Sequence, residues 1–299
     1  MSTGTGQILK LLLRHGQIPL VYPGAFFAED APVFSPAFLN LTHEDLELQT
    51  SDNNSRAKAT LIMFHGNGMN YGDQIPLAER FHTYGFNVLT VSYRGYATSE
   101  GVPSERGLQR DAQAALDYLT TNELFSSKPI ILYGLSLGGA VAIDLCSRNP
   151  TKIHALIVEN TFKSLPDVVR GWSIIGNFSF LVFQRWNSAS KIPKIPSTIP
   201  VLMLSGKHDQ VVPQRHMLDL WELVRNRHCA LEKPSKRRSS SIPSVRTSTS
   251  TSTATEHAIE TKDAFHEFDR GTHANTWLQT GYWENVSAFV DCVLSTTNH

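Results

Sequence analysis

Ser136 stands between Gly134 and Gly138 in the stretch ILYGLSLGGAVA, residues 131–142, directly after the apolar run PIILY and before a run able to form a helix. A G-x-S-x-G pentapeptide carries chemistry only in that strand-to-helix setting, where small neighbours permit a turn tight enough to lift the hydroxyl out of a sheet. Outside it, the same residues are a glycine turn with a solvated serine. A serine hydroxyl is a weak nucleophile until a base takes its proton, and the base needs a carboxylate to hold its tautomer. On doubly wound sheets the three groups follow in the order Ser, acid, His. SGKHDQVVP puts Asp209 just past the strand candidate PVLMLSG, at the carboxyl end of the sheet where open α/β folds place their sites. DRGTHANTW puts His273 just past the last strand candidate. Among the 12 histidines, His208 precedes that strand, His266 lies inside it and His65 falls beside a glycine turn, which leaves His273 as the base. Asp219, in the helical pattern DLWELV, reads as a surface carboxylate.

Acyl transfer builds a negative oxygen in its transition state, so two N–H donors must wait for it. One is the amide of Leu137, the residue after the serine. The other is expected from HGNG, residues 65–68, through the amide of Asn67; a plain turn bounded by Gly66 and Gly68 is the alternative.

These residues need a scaffold, and the chain alternates strand-like and helix-like runs in the manner of a parallel sheet covered on both faces. The strand candidates are TLIMFH (60–65), FNVLTVS (86–92), PIILY (129–133), HALIVEN (154–160), PVLMLSG (200–206) and DAFHEF (263–268). HEDLELQT (43–50) alternates and is expected to pair as an antiparallel edge. Leu108, Ala112, Ala115 and Leu119 recur at helical spacing after a start signal at Ser104. The predicted class is therefore α/β, a doubly wound, mostly parallel sheet, within a domain spanning 43–295. An N-terminal segment, 1–42, precedes it and is read as a possible membrane-facing piece.

Two stretches break the alternation. Residues 161–199 leave the sheet carrying Trp172, Phe178, Phe180, Phe183 and Trp186, too apolar for a solvated loop. They read as a small cap whose aromatic residues wall a groove for an acyl chain, although packing the cap onto the sheet serves for any one of them. Residues 233–262 contain KRRSSS and a stretch from Ser239 to Thr255 in which twelve of seventeen residues are Ser or Thr. That composition buries too little apolar surface to offset the entropy of ordering, so it reads as a disordered insertion.

The 299 residues carry 27 Lys plus Arg against 27 Asp plus Glu, and this balance leaves no summed field to attract nucleic acid. Cys146, Cys229 and Cys292 lie far apart in no metal-ligand spacing and read as reduced core thiols. No motif calls for a metal or another cofactor. The uncharged run from Gly16 to Ala28 falls short of the roughly 20 apolar residues that span a bilayer.

Taken in order, HGNGMN, SYRGYATSEG, YGLSLGGAVAI, VENTF, LSGKHDQVVP and GTHANTW resemble α/β-hydrolase domain-containing protein 13 and its fungal bud-emergence relatives, from about Gln17 to Leu294. GTHANTW and VENTF are the most telling, since a general hydrolase pattern requires neither. The resemblance implies the α/β-hydrolase fold, esterase or acyl-protein thioesterase chemistry such as palmitoyl-protein cleavage, Ser136, Asp209 and His273 as the triad, and an intracellular endomembrane setting. It also brings out three differences. The segment QILKLLLRHGQIPLVYPG is shorter than the relatives' membrane span, the hairpin before TLIMFH is abbreviated, and the Ser/Thr-rich insertion has no counterpart. A peptidase or amidase of the same fold, and a non-catalytic membrane scaffold, are the competing readings.

Overall fold

The computed structural model describes residues 57–171, 182–227 and 262–295, together with Tyr22 and the backbone of Leu48–Gln49. Six strands run parallel: β2 (Ala59–Phe64), β3 (Phe86–Val91), β4 (Ile130–Leu135), β5 (Ala155–Glu159), β6 (Val201–Gly206) and β7 (Ala264–Phe268). β1 (Leu48–Gln49) pairs antiparallel with β3, placing Leu48 opposite Leu89. The sheet order is β1-β3-β2-β4-β5-β6-β7. Strands buried on both faces read as unbroken apolar runs rather than alternating ones, and β2, β4, β5 and β6 are buried at every position. The expected antiparallel edge is present at Leu48–Gln49.

Among the described residues six helices cover the sheet: α1 (Ile75–Thr83), α2 (Glu105–Thr121), α3 (Leu137–Arg148), α4 (Leu165–Arg170), α5 (Arg215–Asn226) and α6 (Tyr282–Ser295). On one face, Leu108 and Leu116 of α2, Val141 of α3 and Leu220 of α5 join one core with Ile62, Leu132 and Val158 of the strands. On the other, Phe81 of α1 and Tyr282 and Trp283 of α6 join a second core with Met63, Tyr133 and Ile157. This is the doubly wound arrangement expected. α2 opens where the sequence predicts, with the Ser104 hydroxyl accepting from Gly107 N at 3.1 Å, an N-cap that satisfies one of the helix's orphan donors. α3 is buried from Leu137 through Cys146, which a helix tolerates only when apolar or small on all sides.

The excursion after β5 holds α4 and a short turn of 3-10 helix at Ile192–Lys194. Ile192, Ile195 and Ile199 from it are buried in the first core. The described residues at either end of the segment between α5 and β7 are joined by a buried ion pair: Arg227 donates to Asp263 and to Ile199 O, the latter 2.8 Å away. Trp172, Phe178, Phe180, Cys229 and all of the Ser/Thr-rich segment but Lys262 lie outside the described residues, as does the N-terminal segment except Tyr22. The thiols need one correction. Cys146 is buried, but Cys292 is exposed, because α6 turns Val286, Phe289, Val290 and Val293 inward and Cys292 falls off that face. Among the described residues no helix is long and apolar enough to cross a membrane.

Candidate active site

Ser136 sits at the junction of β4 and α3 with φ 55° and ψ −116°, a strained conformation for a residue bearing a Cβ. The surrounding hydrogen bonds hold it there. Its N–H donates to Glu159 O at 2.9 Å, and its carbonyl accepts from the Thr161 hydroxyl at 2.7 Å. Close packing explains the flanking glycines: a Cβ on Gly138 would lie 1.9 Å from Phe64 O, and one on Gly134 would lie 2.2 Å from Gly138 O. Both obstacles are backbone, so neither can swing aside. The serine is 7% exposed, at the carboxyl end of the central strand.

Asp209 lies in the loop after β6, and His273 in the loop after β7. The structure brings them together, with His273 Nδ1 at 2.7 Å from Asp209 Oδ2. The other oxygen of Asp209 accepts from Val211 N and Val212 N, each at 2.8 Å. This Asx-type turn fixes the carboxylate and leaves one oxygen for the ring. The two loops are also joined by backbone, since His208 N donates to Gly271 O at 2.8 Å.

Asn160 links these loops to the serine. Its Oδ1 accepts from Gly206 N at 2.8 Å. Its Nδ2 reaches Thr272 O at 3.1 Å, His273 O at 3.3 Å and Thr276 Oγ1 at 2.9 Å. The residue has φ 45°, a left-handed conformation that Asn enters more readily than most residues. One side chain at the end of β5 therefore ties the ends of β6 and β7, beside the carbonyl that holds Ser136 N. Sequence reasoning assigned no role to Asn160 or to its neighbours Glu159 and Thr161. The available signal was VENT, polar groups closing an apolar strand whose neighbours all carry site residues.

Leu137 is the first residue of α3, and among the described residues its N–H has no acceptor, as an oxyanion donor requires. Asn67 follows β2 in an exposed turn, and its Oδ1 accepts from Tyr96 Oη at 2.7 Å. His65 beside it is fully buried against the rings of Tyr93 and Tyr96. Burial holds its pKa down to about 4, so it is neutral near pH 7 and its ring packs the turn.

The aromatic residues of the excursion divide. Trp186 is 1% exposed and donates from Nε1 to Tyr22 Oη at 3.0 Å, so it packs the excursion onto the sheet. Phe183 is 48% exposed and borders a cleft of about 850 Å³ with Arg94, Val102, Glu105 and Arg110 at the start of α2. Asp219 is a surface carboxylate, as expected, paired with Lys163 at 2.9 Å. Among the described residues no group of three or more His, Cys, Asp or Glu side chains is placed to hold a metal ion.

Comparison with known proteins places this geometry in context. The family model described as serine aminopeptidase, S33, matches residues 55–191. Protein bem46 of Schizosaccharomyces pombe is 35% identical over 295 residues, covering 92% of this chain and 85% of the relative. The uncharacterized membrane protein YNL320W of Saccharomyces cerevisiae is 31% identical, covering 93% of this chain and 90% of its own. Among solved structures, the Pyrococcus furiosus esterase Pf2001 superposes with a TM-score of 0.62 at 18% identity, over 89% of this chain and 95% of that one, a likeness of fold.

Proposed function

The chain belongs to the family of α/β hydrolases that includes protein bem46, and on that footing we propose that it is a serine hydrolase cleaving acyl esters or thioesters through Ser136, His273 and Asp209. The observation that carries the reading is the 2.7 Å contact of His273 with an Asp209 carboxylate already fixed by two backbone amides. It lies at the same end of the sheet as a serine held at positive φ. In the proposed reaction, His273 Nε2 takes the proton as Ser136 Oγ attacks the acyl carbon. Asp209 holds the Nδ1 proton and stabilises the imidazolium, while the Leu137 and Asn67 amides receive the oxyanion. The leaving alcohol or thiol departs with the proton from His273. Water, deprotonated by the same ring, then releases the acid from Ser136.

The description of the matching family model, serine aminopeptidase, favours amide cleavage as the second reading. A non-catalytic scaffold is disfavoured, since it would gain nothing from a serine held under strain at the same end of the sheet as an ordered His–Asp pair. The yeast relative is by name a membrane protein, and we carry that setting over as an intracellular membrane association, checked by fractionating cells that express the full chain.

The test is fluorophosphonate labelling of Ser136 in competition with p-nitrophenyl esters, thioesters and amides. If the aromatic residues Trp172, Phe178, Phe180 and Phe183 wall an acyl groove, kcat/KM rises from acetate to octanoate. Burial of four of the six added methylenes at about 0.8 kcal/mol each contributes about 3 kcal/mol, or roughly a hundredfold. Phe183→Ala or Phe180→Ala flattens the series. A flat series in sub-micellar substrate, with faster amide cleavage, would replace the ester reading with the amidase one.

A further inference from the structure

The reaction above needs the Asn67 amide to stay still, yet the turn that carries it is poor in residues that hold a backbone. Gly66 and Gly68 flank Asn67, and Gly68 sits at φ 85°, so this backbone has more conformations open to it than most. Inside the turn, Met69 N donates to Gly66 O at 3.2 Å. The turn lies against the nucleophile, since a Cβ on Gly66 would stand 3.6 Å from Ser136 Cβ. A small shift of the turn therefore moves the Asn67 amide relative to the serine.

The tethers come from the loop after β3, in the stretch SYRGY, residues 92–96. Tyr93 Oη donates to His65 O at 3.0 Å, and Tyr96 Oη donates to Asn67 Oδ1 at 2.7 Å. Both tyrosines are buried, and their rings pack on His65 with centroids 4.2 and 5.1 Å away. That loop is in turn fixed to α2, because Asp111 accepts from Arg94 N at 3.1 Å and from Arg94 Nη2 at 2.6 Å. Burial pushes both phenols above their ordinary pKa, so they remain protonated donors at neutral pH. A buried hydroxyl needs an acceptor, and the acceptor of Tyr96 is the side chain of an exposed residue. A backbone donor alone would leave the side chain at position 67 immaterial. This bond makes it matter.

We propose that Tyr96 is a positioning residue of the oxyanion hole: its hydroxyl, bonded to the Asn67 carboxamide, fixes the turn from which the Asn67 amide meets the oxyanion. Tyr93 holds the near end of the same turn through the His65 carbonyl. The inference rests on the serine-hydrolase reading, and it gives the SYRGY stretch a task that the triad does not.

Tyr96→Phe tests it, because the ring contacts stay and only the hydroxyl goes. For p-nitrophenyl acetate, kcat is expected to fall about tenfold, the scale of a misplaced rather than a deleted donor. KM should change little, since the loss falls on the transition state. Affinity for phenylboronic acid, whose tetrahedral adduct with Ser136 places an oxygen where the oxyanion forms, should fall by the same factor. A merely structural tyrosine would lower the urea midpoint and leave the boronate affinity of the folded protein unchanged. Asn67→Ala deletes the same bond, so the double variant should lose no more activity than Asn67→Ala alone. Tyr93→Phe removes the second tether, should lower kcat and boronate affinity together, and serves if Tyr96→Phe folds poorly.

A kcat within about twofold of the parent in both tyrosine variants, with Ser136 still labelled by fluorophosphonate, overturns this inference alone. Losses that multiply in the double variant, or boronate affinity that holds while kcat falls, do the same. Absence of labelling at Ser136 in the parent removes the hydrolase reading and this inference together.

Discussion

Replacing Asn160 by Ala should weaken the site without touching any member of the proposed triad. The substitution leaves the Gly206 N–H buried without its acceptor and removes the Nδ2 donor from Thr272 O, His273 O and Thr276 Oγ1. An orphaned buried donor costs about 1–3 kcal/mol, and each lost net hydrogen bond about 0.5–1.5 kcal/mol. Alanine at the observed φ of 45° adds about 1 kcal/mol of strain. Thr276 still donates to Thr272 O at 2.7 Å, which caps the loss, so the sum is about 3–5 kcal/mol. The effect on turnover comes from the looser His273 loop. Misplacing a catalytic group by about 1 Å costs up to roughly a hundredfold, so kcat should fall by about 10- to 100-fold with KM little changed. Asn160→Asp separates the parts, since it keeps an acceptor for Gly206 N but turns an oxygen toward the carbonyls of the His273 loop. It should lose less stability than the alanine variant and as much activity. Urea unfolding and ester hydrolysis on the same preparations decide the matter. Asn160→Ala with stability within about 1 kcal/mol of the parent and unchanged kcat would refute the tie.

Ser136→Ala should fold normally, resist fluorophosphonate and lose about 10⁶-fold in turnover. His273→Ala should be similarly severe and Asp209→Asn somewhat less so; labelling that survives Ser136→Ala would move the nucleophile elsewhere. Arg227→Met removes the cation paired with the buried Asp263 carboxylate and should cost about 3–5 kcal/mol. Adding Asp263→Asn should recover at least half of that, as read by urea midpoints, because Asn can still accept the Val201 N–H that now bonds to Asp263 at 2.9 Å. Deleting Pro234 to Thr261 with a short Gly/Ser bridge should keep hydrolysis within a few-fold, because the Arg227–Asp263 pair already joins the two ends. Complete loss of activity in a folded deletion variant would give that segment a regulatory role.

What the chain declares by itself is whatever depends on near neighbours. Unbroken apolar runs announce strands buried on both faces, and β2 to β7 appear within one or two residues of the expected bounds. The glycines around Ser136 announce a sharp strand-to-helix turn, and the loops after the last two strands carry Asp209 and His273, the proposed acid and base. The register of VENT against its neighbours is not local. Whether Glu159 meets Tyr133 and Tyr282, or Asn160 reaches a loop 113 positions away, depends on β5 lying between β4 and β6. No periodicity encodes that order. The same holds for Trp186, whose buried hydrogen bond goes to Tyr22, 164 residues distant, and for Cys292, which the packed face of α6 leaves in solvent. Strand and helix follow from short-range pattern because backbone hydrogen bonds and side-chain alternation act over a few residues. The partner of a buried polar group is decided only when the sheet assembles and desolvation makes every unpaired donor and acceptor costly.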